Sequence, residues 1–193
     1  MGFLSVLSMA HKWIAERTLP GDTVIDATAG GGVDTLALAE LVGPKGRVYA
    51  FDIQQSALDR THERLAPLAE SSRLPDVQLL LQDHATMSGA VEPVDRGHIA
   101  AIMFNLGYLP GGDESVITQP KTTIDALQAS LTLLRAGGIV TCVLYPGHPG
   151  GEQEAAAVED WAAGLPQNIA QAVIYRQLQR KTAPYVISIE KRR

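Results

Sequence analysis

Cysteine, aromatic residues and long apolar runs are scarce in this chain, and each scarcity excludes something. The single cysteine, Cys142, can form neither an internal disulfide nor a cysteine-rich zinc site. It lies inside the apolar run 139–145, where a side chain packs rather than attacks, so core packing outweighs a nucleophilic role. Aromatic residues are 5% of the chain, which leaves the core to aliphatic side chains. No apolar run approaches the roughly 20 residues needed to span a bilayer. The first residues also lack the basic, apolar and small-residue order of a secretory signal. These absences predict a cytoplasmic protein without a membrane partner. A Gly-Lys-Ser/Thr phosphate loop is missing too, which rules out a kinase-type nucleotide site.

Positive charge is in short supply overall, with a net charge of -5, so the chain cannot coat nucleic acid by charge alone. The distribution is uneven. Beyond residue 173 stand Arg176, Arg180, Lys181, Lys191, Arg192 and Arg193 against one acid, Glu190. Solvated strand ends and an RNA-phosphate patch both fit that pattern.

What is present is ordinary for one globular unit: 193 residues, 46% hydrophobic and 19% charged, read as a single domain over 1–193. Helical spacing of Leu7, Ala10, Ile14 and Ala15 predicts a helix over 5–18, ended by Pro20-Gly21. A strand at 23–27, a helix at 34–42 capped by Asp34, a turn at 43–46 and a strand at 47–52 follow. A helix at 54–69 then leads to a strand at 77–82, and a loop holding Gly89 and Pro93 to a strand at 99–104. A helix at 120–134, a strand at 138–145 and a helix at 152–163 precede two closing strands, 169–178 and 185–191. The short link between the last two suits a hairpin and cannot hold a crossover helix. The expected fold is therefore α/β, a seven-stranded and mostly parallel sheet with one antiparallel strand near its edge and helices on both faces.

In such sheets ligands bind beyond the carboxyl ends of the strands, where the first strand turns into its helix. Asp26-Ala-Thr28-Ala-Gly30-Gly31-Gly32 occupies that turn, and Asp52, at the end of the second strand, is placed to accept both hydroxyls of a ribose. A dinucleotide fingerprint needs a third glycine where Thr35 stands. Asp26 would repel a pyrophosphate but suits an ammonium group, such as the methionine end of S-adenosylmethionine. A nicotinamide-dependent reductase is thus a minor alternative, as is a binding module without catalysis. Gln82-Asp83-His84 reaches the same rim after the third strand, where Asp83 or His84 can meet an adenine.

Beyond the fourth strand, Asn105-Leu-Gly-Tyr108-Leu-Pro-Gly-Gly-Asp113 supplies an amide to orient an amine and a flat ring for a heterocycle. The order Asn-x-x-Tyr resembles the Asn-Pro-Pro-Tyr loop of enzymes that methylate amino groups of nucleic acids. An alkylamine is mostly protonated at neutral pH, so a base is useful. His148, in Tyr145-Pro-Gly-His148, and His11 are candidates, each equally open to an orienting or structural role. His11, His84 and His148 lie on separate elements without paired ligand spacing, so no metal is expected.

Together Asp26-Ala-Thr-Ala-Gly30-x-Gly32-x-Asp34-Thr35, Phe51-Asp-Ile-Gln54, the run from Phe104 to Asp113, Thr122-Thr-Ile124 and Tyr145-Pro-Gly-His148 resemble the rRNA methylase family. Its members are similar to the bacterial enzymes that methylate 5-aminomethyl-2-thiouridine at the tRNA wobble position. The resemblance implies a Rossmann-like class I methyltransferase fold and transfer from S-adenosylmethionine to an aminomethyl group, leaving S-adenosylhomocysteine. It also implies a tRNA partner recognised near its anticodon, with rRNA or a small amine as the alternative acceptor and a homodimer left open. Asp26, Thr28, Gly30, Gly32, Asp34, Thr35, Asp52, Gln54, Asp83, His84 and Asn105 are the implied donor contacts. Asn105, Tyr108, His148 and His11 are the implied catalytic groups. Gly31 stands where the family commonly has Asn, and Gln82-Asp-His84 where it often has Asp-Ser-His.

Overall fold

The computed structural model describes residues 2–107, 111, 117–147 and 149–193. Seven strands form one sheet in the order β3-β2-β1-β4-β5-β7-β6. They are β1 Thr23–Asp26, β2 Arg47–Asp52, β3 Asp76–Leu81, β4 Ile99–Asn105, β5 Leu134–Leu144, β6 Ala170–Tyr175 and β7 Tyr185–Lys191. The first five pair in parallel, while β7 runs antiparallel to both β5 and β6. The one antiparallel strand near the edge is as the short link before it required. The helices are α1 Val6–Ala15, α2 Val33–Val42, α3 Gln55–Glu70, α4 Met87–Ala90, α5 Pro120–Leu133 and α6 Gly151–Ala163.

Strand alternation divides the core in two. Val24, Met103 and Val143 point to the face covered by α1, α2 and α3, where they meet Ile14, Leu38 and Leu65. Ile25, Ile102 and Phe104 point to the other face and pack with Leu127 of α5 and Val158 of α6. Both faces are apolar, as parallel strands flanked by helices on each side must be. The core is aliphatic in the main, although Tyr49, Phe51 and Phe104 are among its largest buried side chains.

Several boundaries differ from the sequence reading for identifiable reasons. The first helix ends at Ala15 with Glu16 as its C-cap, short of residue 18. Asp34 does not cap α2. Gly32, with φ 76°, takes the cap position, and Asp34 sits in the first turn with its carboxylate drawn to His11. The fifth strand starts at Leu134, four residues early, because the chain joins β4 through a register shift at Ile99/Ala101 before the Gly137-Gly138 pair. The segment after β3 contains a 3-10 turn, His84–Thr86, and the four-residue α4. β6 stops at Tyr175, so residues 176–178 belong to the connection rather than the sheet.

Candidate functional site

A cleft of about 1120 Å³ opens at the carboxyl ends of β1, β2 and β4, walled by the loops after β1, β3 and β4 and by α3. That exceeds the roughly 300–1,000 Å³ of a site for one small ligand and gives room for a nucleoside donor and an acceptor together.

Its floor is the glycine loop. Ala27 N–H donates to Met103 O and Ala29 N–H to Phe51 O, both over 2.8 Å, so the loop is stitched to β4 and β2 as it leaves β1. Gly30 (φ 53°) and Gly32 then turn the chain into α2. A Cβ on Gly32 would lie 2.7 Å from Thr61 Cα, so this glycine also permits α2 and α3 to approach. A Cβ on Gly31 would meet nothing within 4 Å. The position with Asn in the resembling family therefore faces open cleft, and the departure to glycine leaves the packing intact.

Asp52 fits a ribose. Its Oδ2 accepts Gly30 N–H and its Oδ1 accepts Gln54 N–H, each over 2.9 Å. Each oxygen keeps a lone pair for a hydroxyl in the cleft. Thr28, Gly30, Asp34, Gln54, Asp83, His84 and Asn105 also line it.

Four expected site residues are placed elsewhere. Asp26 is fully buried; its oxygens accept Thr28 N–H (3.1 Å) and the Thr35 hydroxyl (2.6 Å). It braces the loop and does not reach a ligand ammonium; burial, followed by the charge of Asp34, raises its pKa. Thr35 is equally buried as its partner, and Gly32 lies behind the lining. His11 stands behind Asp34, with Nε2 2.5 Å from Asp34 Oδ1, and is not part of the lining. Asp34, in the first turn of α2 where the helix dipole favours negative charge, lines the cleft where Asp26 does not. Tyr108 and His148 fall outside the described residues.

Asn105 is fixed at two points. Its backbone N–H donates to Thr28 Oγ1 over 2.7 Å. Its Nδ2 donates to Asp34 Oδ2 over 3.5 Å, an orientation imposed by a carboxylate that only accepts. Tyr145, which lines the cleft with it, has its pKa raised by burial and by the charge of Asp34. With Nδ2 turned to Asp34, Oδ1 remains as an acceptor.

On the adenine side, Asp83 Oδ1 accepts Ala85 N–H (2.8 Å), which caps the 3-10 turn and leaves its second oxygen. His84 packs edge-on to Phe104 with ring centroids 5.7 Å apart. Burial lowers its pKa, so it is neutral at pH 7. Its Nε2 is buried with no hydrogen-bond partner among the described residues, the carboxylate of Asp83 lying 3.9 Å away. His11 and His84 join no cluster of three potential metal ligands among those residues.

One group escaped the sequence reading. Glu154 of α6 is 2% exposed and accepts the hydroxyls of Thr118 (2.6 Å) and Thr123 (2.7 Å). Thr118 Oγ1 in turn accepts Gly107 N–H, and Thr118 N–H donates to Gly107 O, both over 3.0 Å. Gly107 and Thr118 are thus tied together as a closed neck. No local signal marks an acid in an alanine-rich helix as the seal of a neck more than thirty residues away.

The parallel sheet, the glycine loop and the ribose-accepting acid define an S-adenosylmethionine-dependent methyltransferase of class I. Comparison with known proteins gives the family: residues 48–190 match the one described as "Putative rRNA methylase", and the chain belongs to it. A chloroplastic tRNA (mnm(5)s(2)U34)-methyltransferase of Arabidopsis thaliana is 41% identical over 95% of this chain and 68% of its own length. A crystal structure described as a "putative rRNA-methylase" from Clostridium thermocellum is 38% identical, with a TM-score of 0.91 over 99% of this chain and all of the other. A methyltransferase of Streptococcus mutans, solved in complex with SAH, is 35% identical with a TM-score of 0.85, covering 98% of this chain and 99% of its own. No helix among the described residues is long and apolar enough to cross a membrane.

Proposed function

We propose that this protein methylates RNA on an amine, and specifically the aminomethyl group of 5-aminomethyl-2-thiouridine at the tRNA wobble position, in the cytoplasm. The observation that carries the reading is Asn105, whose amide nitrogen is engaged by Asp34 so that its oxygen is left for a hydrogen of the incoming amine. The name of the Arabidopsis relative supports the nucleoside, and the SAH held by the Streptococcus mutans neighbour supports the donor.

Thr28, Gly30, Asp52 and Gln54 would hold the donor's ribose against the glycine loop, and Asp83 or His84 its adenine. When bound, the donor supplies an electrophilic methyl group on a sulfonium sulfur. The chain's own work is to orient the acceptor and take its proton. Asn105 Oδ1 accepts an N–H and turns the nitrogen lone pair into the cleft. Asp34 is the ionisable group beside it, and His11 holds that carboxylate from behind. Tyr108 is proposed to stack on the base and His148 to assist proton removal. Cys142 is buried and its pKa is raised by burial, which disfavours a thiolate adduct and fits attack by the amine directly.

The test is transfer of labelled methyl to tRNA lacking the wobble modification, with the product nucleoside identified by mass spectrometry. Methylated 5-aminomethyl-2-thiouridine is expected. Label appearing only in rRNA or in a small amine would overturn the assignment.

A further inference from the structure

The antiparallel course of β7 divides the basic residues at the end of the chain into two groups at opposite ends of the sheet. Tyr185 pairs with Leu144, at the cleft end of β5, while Lys191 pairs with Ala170 at the other. Lys191 Nζ donates to Leu134 O, at the start of β5, over 2.7 Å, and Arg192 donates to Gln171 Oε1 over 2.6 Å. Lys191, Arg192 and Arg193 are thus remote from the cleft. Arg176, Arg180 and Lys181 lie in the β6–β7 connection, 176–184, which contains no acid.

That connection borders the cleft directly. Thr182 and Pro184 are part of its lining. The carbonyl of Thr182 lies 3.1 Å from where a Cβ on Gly147 would stand, so the connection rests on the turn after β5, and Gly147 and Tyr145 of that turn line the same cleft as Asn105. Arg176 is tethered by Glu159 (3.1 Å) and lies 5.4 Å from the ring centroid of Tyr185. Arg180 and Lys181 are exposed and have no ion pair among the described residues. The opposite wall, α3, brings Arg60 and Arg64 to the cleft together with Glu63, and the two guanidinium groups donate to the carbonyls of Gly111 and Gly31.

We propose that the connection 176–184 is the surface on which the RNA substrate docks, with Arg180 and Lys181 engaging backbone phosphates of the nucleotides flanking the one whose base enters the cleft. This rests on the RNA-methyltransferase reading above. A base inserted toward Asn105 leaves its phosphates at the mouth, and phosphate contacts set position without reading sequence. A chain of net charge -5 then binds RNA through one short basic edge.

The experiment compares two charge reversals in the full chain, Arg180→Glu/Lys181→Glu and Arg192→Glu/Arg193→Glu, by affinity for a tRNA transcript at several salt concentrations and by donor affinity. The first is expected to weaken tRNA binding at least about tenfold and to flatten the slope of log affinity against log salt by about one to two. The second should leave tRNA binding within about twofold, and both should leave donor binding unchanged. The milder Arg180→Ala/Lys181→Ala should shift binding in the same direction, and donor binding reports that each variant is folded. A wild-type protein that binds and methylates tRNA, together with a first variant that binds as well as wild type or a second that is equally weakened, overturns the docking surface alone. A wild-type protein that binds no RNA while methylating a small amine overturns the RNA reading and the surface with it.

Discussion

Nε2 of His11 lies 2.5 Å from Oδ1 of Asp34, and the second oxygen of that carboxylate meets the amide of Asn105. A residue near the start of the chain therefore acts on the cleft through a carboxylate rather than by facing it. The hydrogen bond to Asp34 raises the pKa of His11 above 6.5; burial opposes the shift and the charges of Asp34 and Asp26 add to it. A histidine whose folded value is raised contributes stability that is fully present below its unfolded value and is lost as pH rises through the folded one. With a His11 side chain one-third exposed, the pair is worth on the order of 1 kcal/mol. His11→Ala should therefore cost that much more in urea denaturation at about pH 5.5 than at about pH 9. A penalty that is the same at both would mean the pair never carries charge.

Asn105 anchors its backbone on Thr28 independently of its side chain, so truncation should leave the donor site standing. Asn105→Ala is expected to lower kcat by roughly 10²–10³ while donor affinity by calorimetry changes little. Full turnover in this variant would remove the amide from the chemistry.

Adjacent glycines should respond in opposite ways. Gly31→Asn enters open cleft and should melt within about 2 °C of wild type, with its effect confined to donor affinity. Gly32→Ala meets both a left-handed φ and the backbone of Thr61, and should cost about 2–4 kcal/mol. Equal melting temperatures for the two would contradict the loop geometry.

Glu154→Ala would strand the buried Thr123 hydroxyl and release the half-buried Thr118 one, at a cost of about 1–3 kcal/mol. Glu154→Gln should fold, yet its amide hydrogens compete with Gly107 for Thr118 Oγ1. Faster hydrogen exchange at the Gly107 amide, with core amides unchanged, is the expected mark. Unaltered exchange there would mean the neck closes without Glu154.

Local patterns made most of the fold legible. The limits of β2 and β7 match the sequence reading to the residue, since each apolar run stops where turn residues or charges begin. Asp52 and Asn105 were legible because a strand end fixes where a side chain must emerge, and the resemblance placed the same residues. The misreadings are non-local. Asp34 looked like a cap because its imidazole partner is 23 residues away, and Asp26 looked like a ligand contact because nothing local shows Thr35 covering it. Glu154 needed both the facing of α6 and the closure of a loop on another element, neither of which periodicity reveals.

The neck at Gly107 and Thr118 bears on how such a protein can change over generations. Where two ends of an insertion are already tied, doubling its length adds only about 0.6 kcal/mol of closure entropy. The sequence between Gly107 and Thr118 can therefore change in length while Asp52 and the glycine loop stay as they are, and the two can drift at different paces.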